Sequence, residues 1–294
     1  MNENRGFTAY HPLTNLIFFT MVIGLGMFIM HPVSLCISLI ASASCMVSLK
    51  GRNSLGFSFR FVLPMMLTAV VINTAFNHRG STILCYLPTG NPLTLESIVY
   101  GIAAAFMLAS CVCWFSCFSQ IIDSDKLIYL FGRIIPTMGL LVSMALRFVP
   151  RFIAQFKKTA EAQKALGRKS EDQSLAKRIK NFITIISIMI TYSLENAVET
   201  ADSMRSRGYG TGKRSSYSEY RFSSKDGLLI IWFLLCFALI LLGISHGCFK
   251  WTYYPVVKGS YGSAFGAVVH AVYFLLCITP AVIEVKEGIS WKKP

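Results

Sequence analysis

Long apolar runs broken by short polar turns dominate the chain. Leu13–Met30 ends at His31-Pro32, and Val33–Leu49 follows at once. Pro32 cannot continue the first helix and suits the first turn of the second, so it predicts a turn between two helices. Phe61–Phe76 predicts a third span. Leu95–Ile122 predicts a long fourth, opened by Asn91-Pro92-Leu93-Thr94, where Thr94 suits the N-cap. Leu228–His246 and Ala264–Ile283 follow near the C-terminus. A helix needs about 20 apolar residues to cross a bilayer, so these runs are read as spans. The first lacks a basic flank and a small-residue cleavage site, and is expected to be a retained helix.

Two apolar runs are shorter, Ile134–Leu146 and Phe182–Leu194. Ten Lys or Arg lie from Arg147 to Lys180. If both short runs spanned separately, this block would face outward, against the positive-inside tendency. Keeping 147–226 cytoplasmic satisfies that tendency. The loop with Lys50, Arg52 and Arg60 is then cytoplasmic, as are both termini, the last carrying Trp291-Lys292-Lys293. The outer loops, 77–93 and 247–263, hold few charges and several aromatics. The expected fold is an all-α polytopic membrane protein of about six spans. Four spans fall in an N-terminal membrane domain, 1–133. A basic, helical cytoplasmic region occupies 134–226, and two C-terminal membrane helices occupy 227–294. Whether 134–146 dips into the bilayer is left open.

Composition agrees with this class. The chain of 294 residues is 54% hydrophobic and 14% charged, where soluble domains carry about 25% charge. Its mean hydropathy is +0.55. The net charge of +14 follows from topology and attraction to anionic lipid, so nucleic acid is not an expected partner. The nine cysteines are scattered. No C-x-x-C pair occurs, so no structural metal is expected. Cys111, Cys113 and Cys117 read as small hydrophobes inside a span. Cys85 and Cys248 both fall in outer loops, and a disulfide between them is left open.

The spans lack the chemistry of a gradient-driven carrier. Ion and proton relays need intramembrane charges, and neither 13–49 nor 61–76 holds Asp, Glu, Lys or Arg. His246 and His270 are the titratable groups well inside the last two spans. A nucleotide site is also missing. Around Gly212-Lys213 a P-loop would need glycine at Arg207 and Ser or Thr at Arg214. No nucleophile–base set stands out, so no cofactor and no catalytic residue are expected.

The charged region contains a repeat. Thr159-Ala160-Glu161-Ala162-Gln163-Lys164-Ala165-Leu166-Gly167-Arg168 aligns without gaps on Thr200-Ala201-Asp202-Ser203-Met204-Arg205-Ser206-Arg207-Gly208-Tyr209. In 151–168, Lys157, Glu161, Lys164 and Arg168 form one polar stripe at helical spacing, beside Phe152, Phe156 and Ala160. The second helix, from about 179 to 207, is apolar first and then charged, with Glu195, Glu199 and Asp202 ahead of Arg205 and Arg207. That order suits the helix dipole. Gly167 and Gly208 suit the C′ position that ends a helix. A basic residue before such a glycine is ordinary capping chemistry. Two copies in a charge-poor chain point instead to a docking surface, since an exposed Arg offers a planar fork for carboxylates.

At these residues the chain resembles the transmembrane T component of energy-coupling factor (ECF) transporters. The likeness includes His11-Pro12-Leu13-Thr14-Asn15, Asn77-His78-Arg79-Gly80, Asn91-Pro92-Leu93-Thr94, Asp125-Lys126, Tyr129-Leu130-Phe131-Gly132-Arg133, Arg147-Phe148-Val149-Pro150 and both helix ends. In that family two cytoplasmic coupling helices end in X-Arg-X motifs. These seat in grooves on two ABC-type ATPase subunits, while the membrane part holds a small substrate-binding S component. The resemblance implies vitamin or metal-ion uptake across a bacterial cell membrane, with ATP hydrolysis in the partners and not in this chain. By position, Ser206-Arg207-Gly208 with Arg205 is the second motif. The first is Ala165-Leu166-Gly167, where Leu166 stands at the arginine position and Arg168 lies two residues on. The N-terminal Asp-Pro motif of the family reads His-Pro here, with Asn15 where Lys is usual. The rival readings are a conventional ABC permease, a gradient-driven carrier and a membrane scaffold.

Overall fold

A computed structural model describes residues 6–51, 56, 58–86, 92–166, 175–212, 220–259 and 263–290. Arg52, Asn91, Gly167, Arg168, Lys169, 213–215 and the terminal Trp291-Lys292-Lys293 lie outside the described residues. The fold is all-α and polytopic. A 3-10 turn, Gly6–Ala9, leads into α1 (Pro12–Phe28), α2 (Pro32–Lys50) and α3 (Leu63–Phe76). Then come α4 (Leu95–Ile121), α5 (Ser124–Ile134), α6 (Pro136–Ala165), α7 (Leu175–Ser206), α8 (Ser224–Ser245) and α9 (Ala264–Ser290). Two short antiparallel ribbons pair β1 (Ile83–Tyr86) with β2 (Pro92–Thr94), and β3 (Trp251–Thr252) with β4 (Lys258–Gly259).

Among the described residues, six helices are long and apolar enough to cross a membrane: α2, α4, α6, α7, α8 and α9. The number matches the sequence pattern, but the set differs. The short apolar runs 134–146 and 182–194 are not short helices. The first continues into α6, of 30 residues, and the second sits inside α7, of 32. A polar half extends each apolar half because nothing in either sequence breaks the helix there. Pro150, inside α6, does not end it. Conversely, α1 is a 17-residue apolar helix, shorter than the run that encodes it, because Pro32 forces the chain into an extended turn at His31.

The chain divides into two units, one formed by 1–127 with 220–294 and the other by 128–219. In the first, α4 is central and packs on α1, α2 and α3, while α9 packs on α2 and α8. Its core is aromatic. Phe7, Phe18, Phe19 and Phe233 are fully buried, with Phe18 edge-on to Trp114 at 5.8 Å. Trp114 Nε1 donates to Ser38 Oγ at 3.1 Å, which satisfies its one polar atom. By contrast α3 has no buried residue and exposes Leu67, Val71 and Phe76, the surface expected of a helix against lipid.

The loop after α3 is held by side chains. Thr94 caps α4 by accepting from the Ser97 N–H at 3.4 Å and donates to the Arg79 carbonyl at 3.2 Å. Buried Glu96 accepts from Ser81 Oγ and the Thr82 N–H. Asn77 Nδ2 donates to the Tyr254 hydroxyl at 2.8 Å. A β-carbon at Gly80 would strike Thr94 and Glu96, so the Asn77-His78-Arg79-Gly80 segment needs its glycine for close approach. Cys85 and Cys248 are both free thiols.

His270 is also accounted for. Its Nδ1 lies 2.8 Å from the Gly266 carbonyl and its Nε2 lies 3.2 Å from His31 Nδ1. Burial, and then the neighbouring His270, push the His31 imidazole down to about 4.

Candidate functional site

The second repeat ends α7 in a complete Schellman motif. The Gly208 N–H donates to the Arg205 carbonyl and the Tyr209 N–H reaches back to the Met204 carbonyl, both at 3.0 Å. Gly208 has φ +76°, the left-handed conformation that a residue without a β-carbon adopts at no steric cost. The expected C′ role of Gly208 is therefore what the backbone does. Arg205, Ser206, Arg207 and Gly208 are all exposed. Ser206 Oγ donates to the Ser203 carbonyl at 3.0 Å, which ties that side chain to the helix. The two arginines project from a rigid end where the last helical carbonyls concentrate negative potential.

The first repeat ends α6 differently. Ala165 is its last residue and Leu166 is the C-cap, its N–H bonded to the Ala162 carbonyl at 3.1 Å. Leu166 is 68% exposed. A free leucine side chain at the tip is an apolar contact surface where the other tip has a guanidinium. Gly167 and Arg168 belong to the same predicted site and lie outside the described residues.

Within the 128–219 unit, α6 meets α7 where the Phe152 and Tyr192 rings sit edge-on at 6.2 Å. Thr159 and Asn196 are buried in the same unit. Asn196 Nδ2 donates to the Tyr192 carbonyl, so its polar group costs nothing where it is buried. From the ring contact, α6 runs on to Ala165 and α7 to Ser206, about 20 Å in each case at 1.5 Å per residue. The two ends do not come together. α7 is about 47 Å long by its rise, and the connection from Leu166 to Leu175 reaches at most about 32 Å. The tips are thus at least about 15 Å apart. Leu166 and Arg207 are exposed residues at two separate helix ends.

Fold and site define a class: a polytopic helical membrane protein that carries two long helices with exposed ends. The sequence pattern of the CbiQ family, described as cobalt transport protein, matches residues 7–218. The chain belongs to that family. The match takes in α1 through α7 and stops before α8. Among curated proteins, the chain is 34% identical over 110 residues to the energy-coupling factor transporter transmembrane protein EcfT of Lactobacillus helveticus, covering 37% of this chain and 40% of that one. It is 34% identical over 121 residues to the EcfT of Bacillus selenitireducens (40% and 45%), and 33% identical over 106 residues to that of Lactococcus lactis (36% and 40%). The chain thus spans under half the length of the curated relatives it matches.

Among the described residues no group of three or more His, Cys, Asp or Glu is placed to hold a metal ion. Sequence reasoning missed what ties the N-terminal segment to distant helices: buried Lys126 and Asp226 and half-buried Glu284 and Glu287. The available signal was position, since all four lie at or near the ends of apolar runs.

Proposed function

We propose that this chain is the transmembrane T component of an ECF-type importer, coupling ATP-driven motion of two ATPase subunits to a membrane S component that binds the substrate. The observation that carries this reading is the α7 end, a rigidly capped helix presenting Arg205 and Arg207 to solvent, repeated in altered form at the end of α6. Tips at least about 15 Å apart suit two subunits rather than one groove. Family membership and the similarity to three EcfT proteins support it.

In this reading α1–α4, α8 and α9 span the membrane, and 134–226 faces the cytoplasm with both termini. The apolar halves of α6 and α7 meet the membrane side and the charged halves meet the ATPases. Arg207 pairs with a carboxylate in one ATPase groove. Leu166 makes an apolar contact in the other, with Arg168 supplying charge beside it. When the ATPases close and separate, the tips move with them, and α6 and α7 act as levers on the S component. The chain itself hydrolyses nothing and binds neither a vitamin nor a metal.

Affinity purification of the tagged chain from native membranes in mild detergent tests this. The expected result is co-elution of two ABC-type ATPases and a small hydrophobic protein, with uptake that needs ATP. Uptake by the purified chain alone in proteoliposomes, driven by an ion gradient, would establish the carrier reading instead.

A further inference from the structure

The segment Gly6–Thr14 collects hydrogen bonds from three distant helix ends of the 1–127/220–294 unit. At one side Lys126, 4% exposed, donates from Nζ to the Thr8 carbonyl at 2.8 Å and to the Ile121 carbonyl at 2.7 Å. That lysine therefore joins the N-terminal turn to the last residue of α4 and the first turn of α5. At another side Asp226, 3% exposed, accepts at Oδ1 from the His11 N–H at 2.8 Å and from Thr14 Oγ1 at 3.3 Å. Its Oδ2 accepts from the Ser223 N–H at 2.9 Å, the carboxylate half of a capping box that starts α8. The His11 ring also lies edge-on to Phe222, 5.5 Å between centroids. At the third side Glu287 and Glu284 of α9 accept from the Gly6 and Phe7 N–H groups at 2.8 and 3.0 Å.

Two of these three anchors have a special position in the chain. The backbone leaves this unit after Leu127 and re-enters it at Tyr220. Lys126 is one residue from the first point and Asp226 is six from the second. Both are buried charges, which a protein does not keep without dedicated partners. Each splits its hydrogen bonds between a nearby helix end and the N-terminal segment. The His-Pro-Leu-Thr motif is built to receive one of them. Pro12 at the first helical position leaves no competing donor there, and His11 Nδ1 accepts the Leu13 N–H at 3.2 Å. Thr14 turns its hydroxyl to the carboxylate.

We propose that Gly6–Thr14 is a clasp holding both chain connections of the 128–219 unit to α1 and α9, with Lys126 and Asp226 as its positioning residues. Load entering through either connection is then shared by one rigid base instead of being absorbed by two independent hinges. Its use in transport rests on the T-component reading; its existence does not.

Amide hydrogen exchange on the purified full-length chain tests the clasp by itself. In Asp226→Asn, exchange at Phe7 and His11 and across 122–127 should rise at least threefold. Lys126→Met should in turn raise exchange at Ser223 and across 220–226. Thr14→Val, which removes one side-chain bond, is the mild variant that reports the same direction if either of the others misfolds. Effects confined to the altered helix in every folded variant would overturn the clasp. In the assembled transporter, the same variants should keep ATPase association and hydrolysis while substrate taken up per ATP falls at least threefold, with Asp226→Glu restoring part of it. An unchanged ratio alongside the exchange signature would leave the clasp standing and remove its coupling role. Absence of ATPase partners from the wild-type preparation would instead count against the T-component reading.

Discussion

At the scale of single residues, the polar groups of this chain are informative because so few are placed in apolar surroundings. Gly208 and Arg207 were legible from sequence, since a helix stop and an exposed base are local properties. Lys126 and Asp226 were not. Their meaning lies in partners 118 and 215 residues away, and local pattern carries no signal over that distance. His31 lay between the two. The His31-Pro32 turn was evident, but its pairing with His270 was not. His31 yields a direct test of acid sensitivity. Its folded value of about 4 lies below the ordinary 6.5, so the unfolded chain binds the proton more readily. The stabilising contribution is therefore complete above about pH 6.5 and is lost as pH falls toward 4. Thermal melts in detergent should show a larger fall in Tm from pH 7 to pH 5 for the wild type than for His31→Gln. Equal falls would mean that His31 does not carry the acid response.

At the scale of elements, the corner between α5 and α6 seats Gly139 against the Gly132 backbone of the Tyr129-Leu130-Phe131-Gly132-Arg133 segment. Ile135-Pro136 ends α5 and starts α6, and a β-carbon at Gly139 would run into the Gly132 backbone. The two helices approach at backbone contact. Gly139→Val should force that corner open and cost about 1–3 kcal/mol, read by chemical denaturation of the purified chain. Gly24→Ala in α1, where nothing lies within 4 Å, is the control expected to be neutral or stabilising. Similar losses in both would show that general helix effects, and not the corner, are at work. Elements were also where sequence reading fell short. The apolar run 134–146 and the helix expected over 151–168 form one helix, α6, because periodicity reports where hydrophobicity stops and not where backbone hydrogen bonding stops, whereas the helix expected from about 179 to 207 is α7. Thr94 and Gly208 were placed correctly because caps are encoded by one residue type at one position.

At the scale of the whole molecule, the chain comprises an apolar helical unit and a unit of two long helices with unlike tips. The repeat first reads as two equal contacts. Leu166 at the arginine position already makes the two ends unequal in sequence, and the structure shows a capped cationic end at Arg207 and an exposed apolar end at Leu166. Truncating a buried interfacial charge pair costs about 2–5 kcal/mol, whereas a rim contact costs little. Docking of the Arg207 end on an ATPase is measured most directly by the affinity of the purified chain for its ATPase pair. Arg207→Glu should weaken association at least about 30-fold, with the chain still folded by thermal melt. Affinity unchanged by that reversal would contradict the claim.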